Sequence, residues 1–277
     1  MTDEYSENRQ EAVDEKKPRK VIYLLPNLFT TAGLFAGFYA IILAMQGRFT
    51  AAAISVIVAM LLDGIDGRVA RMTNTQSEFG AQYDSIADMV SFGIAPALIM
   101  YQWSLVYFVE LGEQWGKFGW LAAFFYSAMA ALRLARFNVQ IGKLDKKYFM
   151  GLASPSAATL LVSFIWMFDD LDLKGSESYL LVPSLLLTIL AGVLMVSPIL
   201  YNSFKDQNRK ERIPFVGILA VVLIFILVTI DPPKVFFGVF LLYALSGPAM
   251  MLVRRKRKRN STSSENNATD NEGLGKS

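Results

Sequence analysis

The sequence predicts an all-α, polytopic membrane protein built as a bundle of transmembrane helices. Of its 277 residues, 53% are hydrophobic, which is too large a share for an ordinary soluble domain. Eight apolar stretches follow one another along the chain, and most reach the roughly 20 residues that a helix needs to cross the bilayer core. Basic residues are concentrated in alternate connections, as expected of a chain that crosses a membrane repeatedly.

The eight predicted spans fill the chain between two polar ends. They lie at roughly 24–46, 49–72, 79–109, 117–140, 152–168, 179–200, 214–230 and 234–253. The fifth and seventh are short, but polar loops bound each of them. Residues 1–20 are polar and mixed in charge, and residues 260–277 are rich in Asn, Ser and Thr, so both ends are expected to be disordered tails. The first segment lacks an apolar core, so we do not expect it to be a secretory signal peptide.

The distribution of charge predicts the orientation. Lys and Arg occur before span one, after spans two and four, between spans six and seven, and after span eight. Under the positive-inside rule both termini then lie in the cytoplasm, and we expect the membrane to be a bacterial inner membrane. The basic run Arg254–Arg259 is interpreted as a topology anchor, with attraction to anionic lipid as the alternative.

Four aspartates interrupt the second and third apolar stretches. Asp63 and Asp66 are three residues apart and Asp84 and Asp88 are four apart, so each pair lies on one face of a helix. One aspartate at the centre of a membrane helix costs roughly 2.5–3.5 kcal/mol on insertion scales. Counting residues from the ends of the two spans places both pairs at one depth near the cytoplasmic face. Such a cluster requires a compensating cation.

The chain contains neither cysteine nor histidine, which narrows the chemistry. Disulfides, thiolate nucleophiles, imidazole bases and Cys/His zinc sites are excluded. Ligation by oxygen alone favours Mg²⁺ or Mn²⁺. Two alternatives stay open. The aspartates could form buried salt bridges with arginines, or they could belong to an ion or proton pathway, although clustering at one depth disfavours a pathway. The candidate arginines are Arg68, Arg71, Arg133 and Arg136.

The aspartate segment resembles the signature of the CDP-alcohol phosphatidyltransferases. The pattern is Asp63-x-x-Asp66-Gly67-x-x-Ala70-Arg71, eight residues, then Gly80-x-x-x-Asp84-x-x-x-Asp88, with all eight fixed positions present. Members of this family move a phosphatidyl or similar group from a CDP-linked lipid to an alcohol and release CMP. The resemblance implies a six-helix core, usually homodimeric, in residues 21–202. Two added helices would follow in residues 203–253, and a basic, then polar, tail in residues 254–277.

The resemblance implies a role for each matching residue. Asp63, Asp66 and Asp84 would be ligands of two divalent cations, and Asp88 would be both a metal ligand and the general base. The residues expected to contact the donor, CDP-diacylglycerol, are Gly67, Arg71, Ser77 and Gly80, joined by Asn27 and Thr30 of a weaker match in the first helix. For the two glycines, close helix packing is an equal alternative.

Two later segments narrow the acceptor. Arg133–Asn138 and Phe149–Pro155 resemble the integral-membrane phosphatidylserine synthases of this family, except that Ala153 stands where proline is expected. The resemblance implies L-serine as the acceptor. It also implies that the protein works in the lipid bilayer and that nucleic acid is not a partner. Serine or donor phosphate would contact Arg133, Arg136 and Asn138, although both arginines could be topology charges instead. Alternatives are another acceptor, such as glycerol 3-phosphate or an inositol phosphate, and a cation transporter.

Span three contains a predicted break after its second aspartate. Proline removes a backbone donor and glycine weakens a helix, so Gly93 and Pro96 are expected to interrupt it. Together with Ser91, this break is expected to widen the pocket.

Overall fold

The computed structural model describes residues 20–73, 77–140, 148–202 and 215–251. Within these ranges the all-α prediction is confirmed, since long helices joined by short turns make up nearly all of the chain. The helices are α1 (Lys20–Met45), α2 (Phe49–Met72), α3 (Glu78–Asp88), α4 (Ala95–Trp103), α5 (Glu113–Gln140), α6 (Ser154–Asp170), α7 (Ser178–Val196), α8 (Phe215–Ile230) and α9 (Pro232–Met251). A π-helical segment, Met89–Ile94, joins α3 to α4, and a 3₁₀-helical segment, Leu105–Leu111, precedes α5. Apart from Lys20 at the start of α1, the predicted tails lie outside the described residues.

Six stretches within the described ranges are long and apolar enough to cross a membrane, so the chain is an integral membrane protein. They are Asn27–Met45, Phe49–Met72, Glu78–Leu111, Glu113–Val139, Ser178–Val196 and Pro232–Met251. The other two predicted spans correspond to α6 and α8, which have 17 and 16 residues and are therefore only about 25 Å long. These are the two stretches that the sequence marks as short. The predicted charge alternation requires both to cross the membrane.

Small residues form the seam between α1 and α2. Ala36, Ala40 and Ala44 bury one face of α1, and Ala52 and Ala53 are fully buried on α2. Lipid tails are as apolar as leucine, so helices in a membrane associate mainly through close backbone packing and polar contacts. The alanine seam supplies that close packing, and it fixes α2, the helix that carries Asp63 and Asp66, against α1.

The start of α2 is capped from another helix. The Asp169 carboxylate in the last turn of α6 accepts hydrogen bonds from the backbone N–H of Thr50 at 3.1 Å and from the Thr50 hydroxyl at 2.6 Å. A negative charge at a helix N-terminus satisfies free N–H groups and interacts favourably with the helix dipole. This contact fixes α2 at the end remote from its aspartates.

A short strand pair, not predicted from the sequence, flanks α6 and α7. Strand β1 (Tyr148–Met150) is antiparallel to β2 (Leu200–Asn202), with Phe149 opposite Tyr201. The sixth apolar stretch was expected to extend to residue 200, but α7 ends at Val196. Next to β1, Gly151 has a φ of +81° and its N–H donates to the Ile199 carbonyl at 2.8 Å. Only glycine adopts this conformation readily, so the strand pair depends on it.

The last helix packs on the core through β2. Tyr201 is fully buried and its hydroxyl donates to the Ala244 carbonyl of α9 at 2.9 Å. A Cβ atom on Gly247 would lie 2.6 Å from Cε1 of the same ring, so glycine permits the approach. Burial raises the pKa of Tyr201 to about 12, and its hydroxyl therefore remains a donor at physiological pH.

Candidate active site

Carboxylates from two neighbouring helices meet at one point. Asp63 and Asp66 of α2 and Asp84 of α3 each place a carboxylate oxygen within 4.8 Å of the others. Asp88, one turn beyond Asp84, lines the same small cavity. Both predicted pairs therefore face one space. The remaining lining residues are Thr30, Gly33, Ala59, Ala87, Ser91 and Phe92.

Arginine side chains do not pair with these carboxylates. Within the described ranges, the single ion pair closer than 4.0 Å joins Lys234 to Asp231, far along the chain from the cluster. Arg68 and Arg71 are exposed at the end of α2. Arg133 of α5 lies close enough to Asp88 for their charges to interact, but the two form no ion pair. The buried salt bridges considered as an alternative are therefore not present among the described residues.

The donor set fits a hard divalent cation. Asp63, Asp66 and Asp84 offer closely spaced carboxylate oxygens in a cavity otherwise lined mainly by apolar groups and hydroxyls. Mg²⁺ and Mn²⁺ prefer such ligands. The Thr30 hydroxyl donates to Oδ2 of Asp66 at 2.8 Å. Hydrogen bonds of this kind orient ligating carboxylates, so Thr30 fixes the orientation of the Asp66 carboxylate.

Three of the residues predicted to contact CDP-diacylglycerol lie together where α1 meets the start of α3. The Ser77 side chain caps α3 by accepting the Gly80 N–H at 3.0 Å. A Cβ atom on Gly80 would lie 3.6 Å from Oδ1 of Asn27, so Asn27 faces this turn. A Cβ atom on Gly67, by contrast, would have no neighbour within 4 Å among the described residues. Among the described residues, therefore, no close helix contact requires a glycine at position 67.

A hydroxyl pair that was not predicted from the sequence joins α1 to α3. The Thr31 hydroxyl donates to the Asn27 carbonyl at 2.7 Å and lies 2.9 Å from the Tyr83 hydroxyl. Because Thr31 has one proton to give, Tyr83 is the donor to Thr31. The sequence offered one clue to this contact, because Thr31 directly follows Thr30 and Tyr83 directly precedes Asp84. This pair holds α3 against α1 directly beside the aspartates.

The three candidate acceptor contacts on α5 have different surroundings. Arg133 donates to the Ser154 hydroxyl at 3.0 Å, and its buried Nε has no hydrogen-bond partner among the described residues. Arg136 donates to the Val196 carbonyl at 3.1 Å and contacts Met150, so it ties α5 to the strand pair. Ser154 was not predicted as a site residue, although it begins α6 within the Phe149–Pro155 segment.

Asn138 joins α5 to the aspartate helix. Its side-chain amide donates to the Ser85 hydroxyl at 3.0 Å, and Ser85 lies between Asp84 and Asp88 on α3. This bond fixes the rotation of α3 from the α5 side. Arg133 differs from Arg136 and Asn138 in two ways. It lies near Asp88, and its buried Nε–H group has no hydrogen-bond acceptor within the described ranges.

The comparisons with known proteins agree with this geometry. The sequence model of the CDP-alcohol phosphatidyltransferase family matches residues 23–196. The chain is similar to the CDP-diacylglycerol–serine O-phosphatidyltransferase of Helicobacter pylori, with 34% identity over 238 residues, 86% of this chain and 96% of that protein. It is similar to the protein of the same name from Methanocaldococcus jannaschii, with 34% identity over 229 residues, 83% of this chain and 94% of that protein.

A third relative has a related name. The archaetidylserine synthase of Methanothermobacter thermautotrophicus is 35% identical over 179 residues, 64% of this chain and 69% of that protein. The family match covers α1 to α7, including every aspartate of the cluster. The chain belongs to the CDP-alcohol phosphatidyltransferase family.

Proposed function

We propose that the protein transfers the phosphatidyl group of CDP-diacylglycerol to the hydroxyl of L-serine, giving phosphatidylserine and CMP. The observation that carries the proposal is the convergence of Asp63, Asp66 and Asp84 beside Asp88 in one cavity between transmembrane helices. Serine as the acceptor is supported by the names of the Helicobacter and Methanocaldococcus relatives, which match this chain over most of its length.

The donor would bind where α1, α2 and α3 meet. Asn27, Ser77 and Gly80 lie together at the start of α3, and the open space beside Gly67 lets a nucleotide approach the α2 backbone. The exposed guanidinium of Arg71 offers a planar fork of donors that suits a phosphate. Thr30 would act indirectly, by orienting Asp66.

The four aspartates would hold two divalent cations, Mg²⁺ or Mn²⁺. When bound, the cations would neutralise charge on the diphosphate and on the departing CMP. The chain would contribute a fixed set of carboxylates, with Asp63 and Asp66 held on α2 and Asp84 and Asp88 on α3. Because the helices are locked by the alanine seam and the polar contacts of α3, little reorganisation would be needed when the substrates bind.

Asp88 would act as the general base. As the serine oxygen attacks the β-phosphorus, its proton would pass to the Asp88 carboxylate. A new P–O bond to serine forms, the bond from phosphorus to the CMP oxygen breaks, and CMP leaves with that electron pair. Arg133 would bind the serine carboxylate or a phosphate of CDP-diacylglycerol. It lies near Asp88, and its Nε has no hydrogen-bond partner among the described residues.

The proposal includes an orientation and an assembly. Arg68 and Arg71 lie at the same end of α2 as the aspartates, so the positive-inside rule supports a cytoplasmic active site with both termini on that side of a bacterial inner membrane. A water-soluble acceptor and a lipid-linked donor could meet there. The family resemblance supports a homodimer.

The acceptor is tested by measuring CMP release from CDP-diacylglycerol with a panel of alcohols. Purified protein would be incubated with Mn²⁺ and with L-serine, glycerol 3-phosphate, an inositol phosphate or no alcohol. We expect L-serine to support turnover at least ~10-fold faster than the others, because few basic residues face the cavity to bind a second phosphate. D-serine is the matched control for recognition of the carboxylate and ammonium. Faster release with glycerol 3-phosphate would contradict serine as the acceptor.

A further inference from the structure

The segment between α3 and α4 is a wide helical turn. Residues Met89–Ile94 are π-helical, and the Ala95 N–H donates to the carbonyl of Val90, five residues earlier. Such turns are rare and are frequently found at functional sites. This one begins directly after Asp88, the last residue of α3. Its geometry therefore determines how the aspartate face of α3 continues into α4.

Two hydroxyls of α5 donate to backbone carbonyls of the wide turn. Tyr126 donates to the Phe92 carbonyl at 3.1 Å, and Ser127 donates to the Gly93 carbonyl at 3.2 Å. In a regular α-helix the Phe92 carbonyl would accept from residue 96, which is a proline and has no N–H. Tyr126 is fully buried. Its hydroxyl therefore supplies a donor at a place that water does not reach.

The same turn is also held by α1. The Ser91 hydroxyl donates to the Gly33 carbonyl at 3.2 Å. A Cβ atom on Gly37 would lie 2.7 Å from the Cα atom of Ser91, so α1 approaches the turn as closely as a glycine allows. Contacts from α1 and α5 together hold the wide turn in place.

Loss of the wide turn would displace Asp88, the last residue of α3, because other contacts hold both α4 and the earlier turns of α3. Ile99 and Met100 of α4 are fully buried in the core. On α3, the hydrogen bonds of Tyr83 with Thr31 and of Ser85 with Asn138 hold the turns that precede Asp88. Each residue of an α-helix corresponds to about 100° of rotation. Relaxation of the turn by one residue would therefore carry Asp88 away from the cavity.

We propose that Tyr126 is a positioning residue whose hydroxyl, acting through the Phe92 carbonyl, holds the wide turn that orients Asp88. The proposal rests on the proposed phosphatidyl transfer, in which Asp88 takes the proton of serine. Loss of the hydroxyl is expected to lower turnover rather than substrate binding. The ligands Asp63 and Asp66 lie on α2 and keep their positions. Asp84 keeps its position because its neighbours Tyr83 and Ser85 are bonded to α1 and α5.

The test compares Tyr126→Phe with Tyr201→Phe. Both tyrosines are fully buried, and each hydroxyl donates to a backbone carbonyl, but Tyr201 lies in β2, away from the wide turn. For Tyr126→Phe we expect kcat to fall about 10- to 100-fold, with the KM values for serine and CDP-diacylglycerol within about threefold of wild type. For Tyr201→Phe we expect a comparable loss of Tm, with kcat within about twofold of wild type. An unchanged kcat in Tyr126→Phe would overturn the proposal.

A double variant distinguishes two roles of the Tyr126 hydroxyl. It either holds the shape of the wide turn or only supplies a hydrogen bond to the Phe92 carbonyl. Pro96→Ala supplies an N–H that can reach the Phe92 carbonyl in a regular α-turn. In Tyr126→Phe/Pro96→Ala we expect Tm to recover while kcat stays low, because the wide turn is not restored. Recovery of both quantities would assign Tyr126 a purely structural role.

Two further measurements keep the proposal testable. If Tyr126→Phe does not fold, Ser127→Ala removes the neighbouring donor, and we expect a several-fold lower kcat with unchanged KM; an unchanged kcat would overturn the proposal. Wild-type protein is assayed in parallel. If wild type itself releases no CMP with serine, the proposed function fails together with this inference, whereas active wild type with equally active variants overturns this inference alone.

Discussion

Asp88→Asn is expected to lower kcat for CMP release by about 10²- to 10⁴-fold at saturating Mn²⁺. Asparagine has nearly the same shape and keeps one oxygen facing the cavity, but it cannot accept the proton of the serine hydroxyl. Saturating Mn²⁺ separates this loss from any weakening of the metal site. The measurement is CMP release against serine concentration, with both kcat and KM determined.

Glu78→Gln is the matched control for loss of a carboxylate. Glu78 lies on the same helix as Asp88, but it is exposed at the helix start. We expect this variant to keep kcat within about twofold of wild type. Asp88→Glu should recover part of the activity, since it restores a proton acceptor at a shifted position. Wild-type kcat in Asp88→Asn would show that another group takes the proton.

Asp63→Asn is expected to raise the Tm of the metal-free protein and to remove most of the stabilisation that Mn²⁺ gives. Asp63 lies among like charges within 4.8 Å and accepts no hydrogen bond from any side chain that the structure describes. Its neutralisation relieves repulsion, and about 1 kcal/mol of relief corresponds to a rise of roughly 2–4 °C. Loss of a supporting contact alone weakens metal binding about 10- to 100-fold, so loss of a ligand should weaken Mn²⁺ binding by at least ~100-fold.

The measurement is a thermal unfolding titration with Mn²⁺ from nanomolar to millimolar concentration. A ligand that binds the folded state raises Tm as its concentration exceeds its dissociation constant, so the wild-type curve reports the affinity of the site. Glu113→Gln, which removes an exposed carboxylate at the start of α5, should behave as wild type. The same Mn²⁺-induced shift in Asp63→Asn as in wild type would exclude Asp63 as a ligand.

The helices and the meeting of the aspartates follow from local rules. The period of an α-helix places Asp63 with Asp66 and Asp84 with Asp88, and the rise per residue gives the depth of each pair. A connection of a few residues between α2 and α3 makes the helices neighbours. These relations need no knowledge of tertiary contacts, which explains why the sequence alone predicted a shared cavity.

The remaining features depend on contacts between residues far apart in sequence. Gly93 and Pro96 predicted a break in span three, but the form of that break depends on Tyr126, 34 residues from Phe92. The early end of α7 depends on the pairing of β1 with β2. Likewise, no local pattern shows that Arg136 bonds the Val196 carbonyl, 60 residues away. Hydrogen bonds between residues so far apart leave no periodic pattern in the sequence from which they could be predicted.

The most direct test of the proposed function is the stoichiometry of a single reaction. Purified protein in lipid vesicles would receive CDP-diacylglycerol, isotopically labelled L-serine and Mn²⁺, and both CMP and labelled lipid would be measured. We expect one CMP for each labelled phosphatidylserine, and no CMP without serine or with excess chelator. Release of CMP without labelled lipid, or serine-independent turnover with another alcohol, would contradict the proposed function.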